Sequence, residues 1–504
     1  MKKIVLTLTM AALTAGSVFS QTTGTQDLKK LIDNAKTKIE TSDKDVQDAK
    51  KGSVSKTWES RGKIFLDAAK INTKNINQNM YAAKCDQSPF YNMEMMMGAP
   101  QEKKQEKVGG EDYEVWVYPT INVYVQNNVV MFWKETYVAD TKALDKASEA
   151  FQKADELDPK GAFKSKKSTM DAIKDLRTVY FTNGINAYQF QDYKEAANNF
   201  EGAYKLSTYP RDAKDTTLND GQIAYYAALS AFQGNDKSKA EKLFKEAVSK
   251  NYQPGSCYHY IYQINVDAGK EAEAVQIIKT AYEKYPQEEQ ILYDVINYYL
   301  GKKQTSEAEK YLNKAIEKYP SNANLYNVKA GMYVGQCTEL AQKYASELNK
   351  VDSLRKLAFR NRTNAKEEAR VNAEKEQMQA QANKTKQEYI ANQEKALNSY
   401  NQAIAKDSKN YDAHLAMGIV HYNMADLITN EKNAIPYSED KDGSKVAAKE
   451  AEIKTYWQKS AAEFEKASAI RPTDKDCLQN LKTLYYKLQD TPKWNEVKSK
   501  LEKL

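Results

Sequence analysis

Along most of the chain, apolar residues recur three and four positions apart, the rhythm of helices that each bury one stripe. One set returns seven times: a small residue, a bulky residue four later, then Ala three after that. It reads Ala147-Phe151-Ala154, Ala196-Phe200-Ala203, Ala240-Phe244-Ala247, Ala274-Ile278-Ala281, Ala308-Leu312-Ala315, Ala396-Tyr400-Ala403 and Ser460-Phe464-Ala467. Positions i, i+4 and i+7 share one helical face. The small residues there let a neighbouring helix approach, and the bulky one fills the gap. Pro159, Pro286, Pro320 and Pro472 follow four of the sets and stop the helix, because proline lacks an N–H and clashes with the preceding turn. From Ala240 to Ala274 to Ala308 the interval is 34 residues twice over. One helix pair cannot bury its apolar face alone, so such units must stack.

The pattern resembles the tetratricopeptide repeat family, whose unit is two antiparallel helices. Trp58, Gly62 and Phe65 match the family's first-helix signature, and Gly184, Ala228, Ala330 and Gly418 hold its small-residue position. The resemblance implies an all-α fold, a right-handed α-solenoid of helix pairs, to which departures from the repeat add a projecting antiparallel helical hairpin and a small β-like insertion in the first repeat. The sequence as a whole then divides into a signal peptide at 1–20, a helical segment at 21–53, and a first repeat at 54–159 with a long insertion at about 73–139. A repeat array at 160–335, a coiled-coil-like arm at 336–395, and C-terminal repeats with capping helices at 396–504 follow.

Three stretches depart from the repeat. Within the first insertion, Tyr113, Val115 and Val117, then Ile121, Val123 and Val125, alternate as in a small hairpin. A helical reading of the run into Phe132-Trp133 stays open. Met93, Met95, Met96 and Met97 offer thioethers that suit Cu(I), but without accompanying His they read as adaptable packing or a partner contact. In the second insertion, Leu340, Tyr344, Leu348, Val351, Leu354 and Leu357 form one drifting stripe, and Val371, Met378, Ala382 and Tyr389 form a weaker returning one. Two prolonged helices of this kind give an arm projecting about 40 Å. Such an arm should bury little against the body, so deleting residues 341–391 is expected to leave the body folded. The third stretch, around 430–444, contains Pro436 and Gly443 and reads as a loop.

Composition narrows the function classes. Only 19 Gly and 11 Pro in 504 residues leave little material for an all-β fold. Lys2 and Lys3 before the apolar run Ile4–Phe19 read as a secretory signal, with Gln21 opening an exported mature chain of the bacterial envelope, periplasmic or associated with the outer membrane. No later apolar run is long enough to span a membrane. The net charge of +7 is small and scattered, which gives no support to nucleic-acid binding. Cys85, Cys257, Cys337 and Cys477 lie far apart without paired spacing, so they read as free thiols.

The family resemblance implies partner recognition along the first helices, and its groove positions fall on Phe181, Ile185, Tyr188, Gln222, Tyr225, Leu229, His259, Gln263, Tyr293 and Asn297. Aromatic faces and amides there suit an extended chain. The lysines of the family's carboxylate clamp are replaced by Phe181, Tyr225, His259 and Tyr293, which argues against that mode. No cofactor, catalytic motif or metal-ligand spacing is evident: His414 and His421 lie on one helical face with no Glu in a metalloprotease arrangement. The resulting expectation is a non-catalytic scaffold or adaptor for other envelope proteins or peptide segments. An envelope hydrolase acting on glycan or peptidoglycan, and a self-associating structural element, are the alternatives.

Overall fold

Every position of the seven small–bulky–Ala sets is buried, and the elements grow outward from those contacts. The computed structural model describes residues 28–88, 91–210 and 218–504. The export signal expected at 1–20 lies outside the described residues. Two compact units divide at Ile291/Leu292.

The first unit opens with α1 (Leu28–Gln47) and α2 (Ser55–Ala69). A short helix α3 (Met93–Met97) leads into a sheet of β1 (Glu102–Val108), β2 (Glu111–Val117), β3 (Ile121–Gln126) and β4 (Val129–Glu135). Then come α4 (Ala143–Glu156), the short α5 (Ala162–Ser165), α6 (Lys167–Gln189), α7 (Tyr193–Lys205), α8 (Asp220–Gln233), α9 (Lys237–Ser249), α10 (Pro254–Asp267) and α11 (Glu271–Lys284). Helix α2 pairs with α4 across the whole insertion; α6/α7, α8/α9 and α10/α11 are the following pairs.

The insertion is a four-stranded antiparallel meander in the order β1-β2-β3-β4, so the helical reading of its later part does not hold. Gly109-Gly110 and Asn127-Asn128 take positive φ between the strands, the left-handed geometry of tight hairpin turns. Alternation along the strands fills both faces. Trp116, Ile121, Val123, Val125 and Trp133 pack on Ile76, Met80, Ala82 and Met93. Tyr113, Val115, Tyr124 and Phe132 face the other way, against Phe190. Charged β1 is exposed along most of its length, which suits an edge strand.

The second unit contains α12 (Glu289–Gly301, cut by the division), α13 (Thr305–Lys318), α14 (Ala323–Arg360), α15 (Ala365–Lys406), α16 (Tyr411–Ala434), α17 (Ser444–Ile470), α18 (Lys475–Leu488) and α19 (Thr491–Glu502). Helices α14 and α15 form the antiparallel hairpin. Its inner half does not stand free: Tyr344, Leu348, Ala382 and Tyr389 share a core with Met424, Leu427, Ile428 and Ile453. The stretch around 430–444 is only partly loop, because α16 runs on to Ala434 and α17 starts at Ser444. That second prolonged pair lies beside the hairpin. Glu431 receives Tyr344 Oη at 2.9 Å and pairs with Lys386 at 2.6 Å and Lys449 at 2.7 Å, which ties all four helices together. Only Leu354, Ala358, Val371 and Met378, near the tip, form a two-helix contact of their own.

Five helix pairs close with one repeated turn. Gln191, Asn235, Gly269, Lys303 and Gln489 each take positive φ, and the next residue donates its N–H back to Ala187, Ala231, Asn265, Tyr299 and Tyr485, respectively. This is the left-handed helix stop that satisfies terminal carbonyls. Asp192, Asp236 and Asp490 then cap the following helix by accepting the N–H of Glu195, Lys239 and Lys493.

Candidate functional site

The ten groove positions do not form one kind of surface. Phe181, Ile185 and Leu229 are core residues, so they cannot line an open groove. The physical reason is local: Phe181 turns its ring edge-on to Phe200 at 5.4 Å, filling the space between α6 and α7. The half-buried members are better placed. Tyr188 packs edge-on to Tyr193 at 5.2 Å, and burial raises its hydroxyl to about 12. Gln222 donates to Tyr226 Oη at 3.3 Å, while Tyr225 rests on Phe244 and Tyr252. On α10, His259 Nδ1 lies 3.3 Å from the Gln290 amide, and Gln263 is half-buried. In the second unit, Tyr293 Oη accepts from Asn322 at 3.0 Å and Asn297 is exposed on α12.

A concave site lies in the first unit, between elements that the sequence did not bring together. A cleft of about 440 Å³ opens between β4 and the end of α6. Trp133, Lys134 and Glu135 come from β4; Asn183, Asn186, Ala187 and Phe190 from α6 and its C-cap; Asp192, Glu195 and Asn199 from the start of α7. Lys134 and Glu135 point to opposite sheet faces yet both line the cleft, so it runs along the edge of β4. The amides are held in place: Asn186 Oδ1 accepts from Gln78 at 3.2 Å, and Asn199 donates to Glu195 Oε1 at 2.8 Å. Glu135 is partly open to solvent but ringed by protein. Lost hydration pushes its carboxyl up to about 7, outweighing the hydrogen bond from Asn72.

The main chain of β4 contributes too. Thr136 N–H donates to Thr120 C=O at 2.9 Å, and Glu135 and Trp133 stand opposite Ile121 and Val123. Antiparallel pairs alternate between those that exchange hydrogen bonds and those that do not. The N–H and C=O of Trp133 and Glu135 therefore point away from β3. Nearer the turn, Val130 spends its outward groups on Met80 and Asn79. Among the described residues, no backbone partner takes those of Trp133 and Glu135.

Other chemistry-bearing residues have packing roles. Met93 is wholly buried beneath the sheet, whereas Met95 and Met96 are exposed. His414 Nδ1 meets Glu463 Oε2 at 2.8 Å in the core. Burial lowers His421. Cys257, Cys337 and Cys477 are buried thiols, and Cys85 is partly exposed. No group of three or more His, Cys, Asp or Glu able to hold a metal ion occurs among the described residues.

Antiparallel helix pairs, each closed on small residues and most on a common turn, define a helical-repeat protein. Family models described as tetratricopeptide repeats match residues 181–255 and 265–331, and one described as a TPR repeat matches 392–424. The chain carries tetratricopeptide repeats in these stretches. That family is typically a non-catalytic interaction module. Similar solved structures include a TPR repeats protein from Bacteroides fragilis, 15% identical, spanning 62% of this chain and 98% of that one, TM-score 0.27. The C-terminal part of a TPR repeat-containing protein from Cytophaga hutchinsonii is 14% identical, spanning 60% and 99%, TM-score 0.30. Yeast Tom70 is 14% identical, spanning 95% and 81%, TM-score 0.29. No curated protein matches the chain. Among the described residues no helix is long and apolar enough to cross a membrane.

Proposed function

We infer that this chain is a non-catalytic scaffold of the bacterial cell envelope that holds segments of partner proteins. One observation carries the reading. The second helix of each pair is spent on packing, while the first helices α8 and α10 keep Gln222, Tyr225, His259 and Gln263 half-exposed in the first unit. These are amides and rings of the kind that grip an extended chain by hydrogen bonds and apolar area. The leader-like residues 1–20 support export to the periplasm or the outer membrane. The hairpin offers a second contact at its tip, where Phe359 is 66% exposed beside Leu357.

Cell fractionation followed by crosslinking in living cells and mass spectrometry tests this reading. Recovery from the envelope with a reproducible set of protein partners, weakened by Tyr225→Ala or Phe359→Asp, is the expected result. A cytoplasmic pool with no crosslinked partner would refute it.

A further inference from the structure

The cleft between β4 and α6 combines three features that the packing of the repeats does not require. It has an open strand edge at Trp133 and Glu135, amides fixed by their own hydrogen bonds, and three acidic side chains against a single lysine. An open edge offers paired main-chain groups to another strand. The carboxylates of Asp192 and Glu195 outweigh the single charge of Lys134, and the Glu135 carboxyl adds to that balance as it ionises beside an entering cation. That charge selects among strands, since a basic side chain entering there is held and an acidic one is repelled.

We propose that this cleft binds an extended segment of a partner protein that adds to the edge of β4 and places a Lys or Arg side chain among Glu135, Asp192 and Glu195. The proposal rests on the reading of the chain as a binder of protein segments, and names a site for it apart from the faces of α8 and α10. Main-chain pairing with Trp133 and Glu135 supplies register, while the cation supplies selectivity. Asn186 and Asn199 stand on the opposite wall to receive the groups of the added strand that face away from β4.

The test presents the full chain to phage-displayed random short peptides. Enrichment of peptides carrying a basic residue among β-branched neighbours is expected. Glu135→Gln or Glu195→Gln should weaken their binding about tenfold, and Lys134→Glu, at an exposed position, should strengthen it. Methylating one peptide N–H that faces β4 should abolish it. The Lys134 variant keeps the test decisive even if a loss-of-charge variant misfolds. Selection of no peptide, or of peptides without a basic residue, would overturn the proposal. So would binding that ignores these cleft variants but falls with Tyr225→Ala, a result that leaves the scaffold reading standing.

Discussion

The ring of Phe151 on α4 lies against Gly62 on α2, so close that a Cβ at position 62 would sit 2.8 Å from it. The entire sheet insertion intervenes between these two residues in sequence. Gly184 meets Phe200 and Gly418 meets Phe464 in the same way, at 2.7 and 2.9 Å. The contact is the common joint of a helix pair, whatever the chain does between its halves.

Adding bulk at this joint should cost stability wherever it is made. Gly62→Val is expected to lower stability by about 1–3 kcal/mol, with a similar loss for Ala240→Leu. Gly331, in the interior of α14, has no such neighbour within 4 Å. Gly331→Ala should therefore stabilise by up to about 1 kcal/mol through helix propensity. Thermal melts of the three variants check the contrast.

Glu59 should make the first unit sensitive to acid. Burial works to raise its carboxyl, but Lys166 at 2.7 Å, Lys63 at 2.6 Å and Thr169 at 2.7 Å prevail and hold it at about 2, against an ordinary 4.5. A carboxylate depressed by folding stabilises above its unfolded value, and the gain is lost as pH falls toward the folded one. Glu59→Gln should cost about 2 kcal/mol at pH 7 and nothing near pH 2. Urea midpoints across that range measure it.

Glu135 has the opposite sign. Folding raises it from 4.5 to about 7, so between those values the folded chain keeps a proton the unfolded chain has released. Stability contributed by this group falls as pH rises through that window. Glu135→Gln should stabilise by about 1–2 kcal/mol at pH 8 and by little at pH 4. Equal effects at both pH values would contradict this.

Thiol labelling should separate the cysteines. Burial raises Cys257 and Cys337 to about 12 and Cys477 to about 11. A thiol reagent at pH 8 should find Cys85 alone in the native protein, and four thiols once it is unfolded in denaturant.

Removing residues 341–391 is no longer expected to leave the body intact, because Tyr344, Leu348, Ala382 and Tyr389 would vacate a core shared with α16 and α17. Phe359→Asp at the tip should leave the melting temperature unchanged. A lower melting temperature for the deletion, and an unchanged one for the point variant, is the outcome to look for.

How far the sequence disclosed this molecule depends on the range of each contact. The small–bulky–Ala sets were legible because a helix brings i, i+4 and i+7 together without outside help. Gly109-Gly110 and Asn127-Asn128 are turn signals that flank the alternating runs of β2 and β3, but β1, polar along nearly all its length, carries no alternation to mark it as their neighbour. The burial of Phe181 was harder to foresee, since a family groove position says nothing about the ring of Phe200 waiting across the pair. The cleft left no local trace, because Glu135 and Asn186 become neighbours only when the sheet settles against α6. Hairpin length was plain from the unbroken stripes, whereas its side-by-side company with α16 and α17 depended on Glu431 joining Tyr344, Lys386 and Lys449.

The turn built on Gln191, Asn235, Gly269, Lys303 and Gln489 joins the two helices of a pair, and the sheet, the hairpin tip and the loop before α17 occupy that same junction in the remaining pairs. Each of the three elaborations is spliced between the two helices of one pair. The turn at Gln191 is covered by the sheet, since Phe190 packs on it and the Gln191 amide reaches Gly109. Those at Asn235, Gly269, Lys303 and Gln489 are the ports where a foreign loop or reporter domain can be grafted without cutting the joint of small residue and ring within each pair.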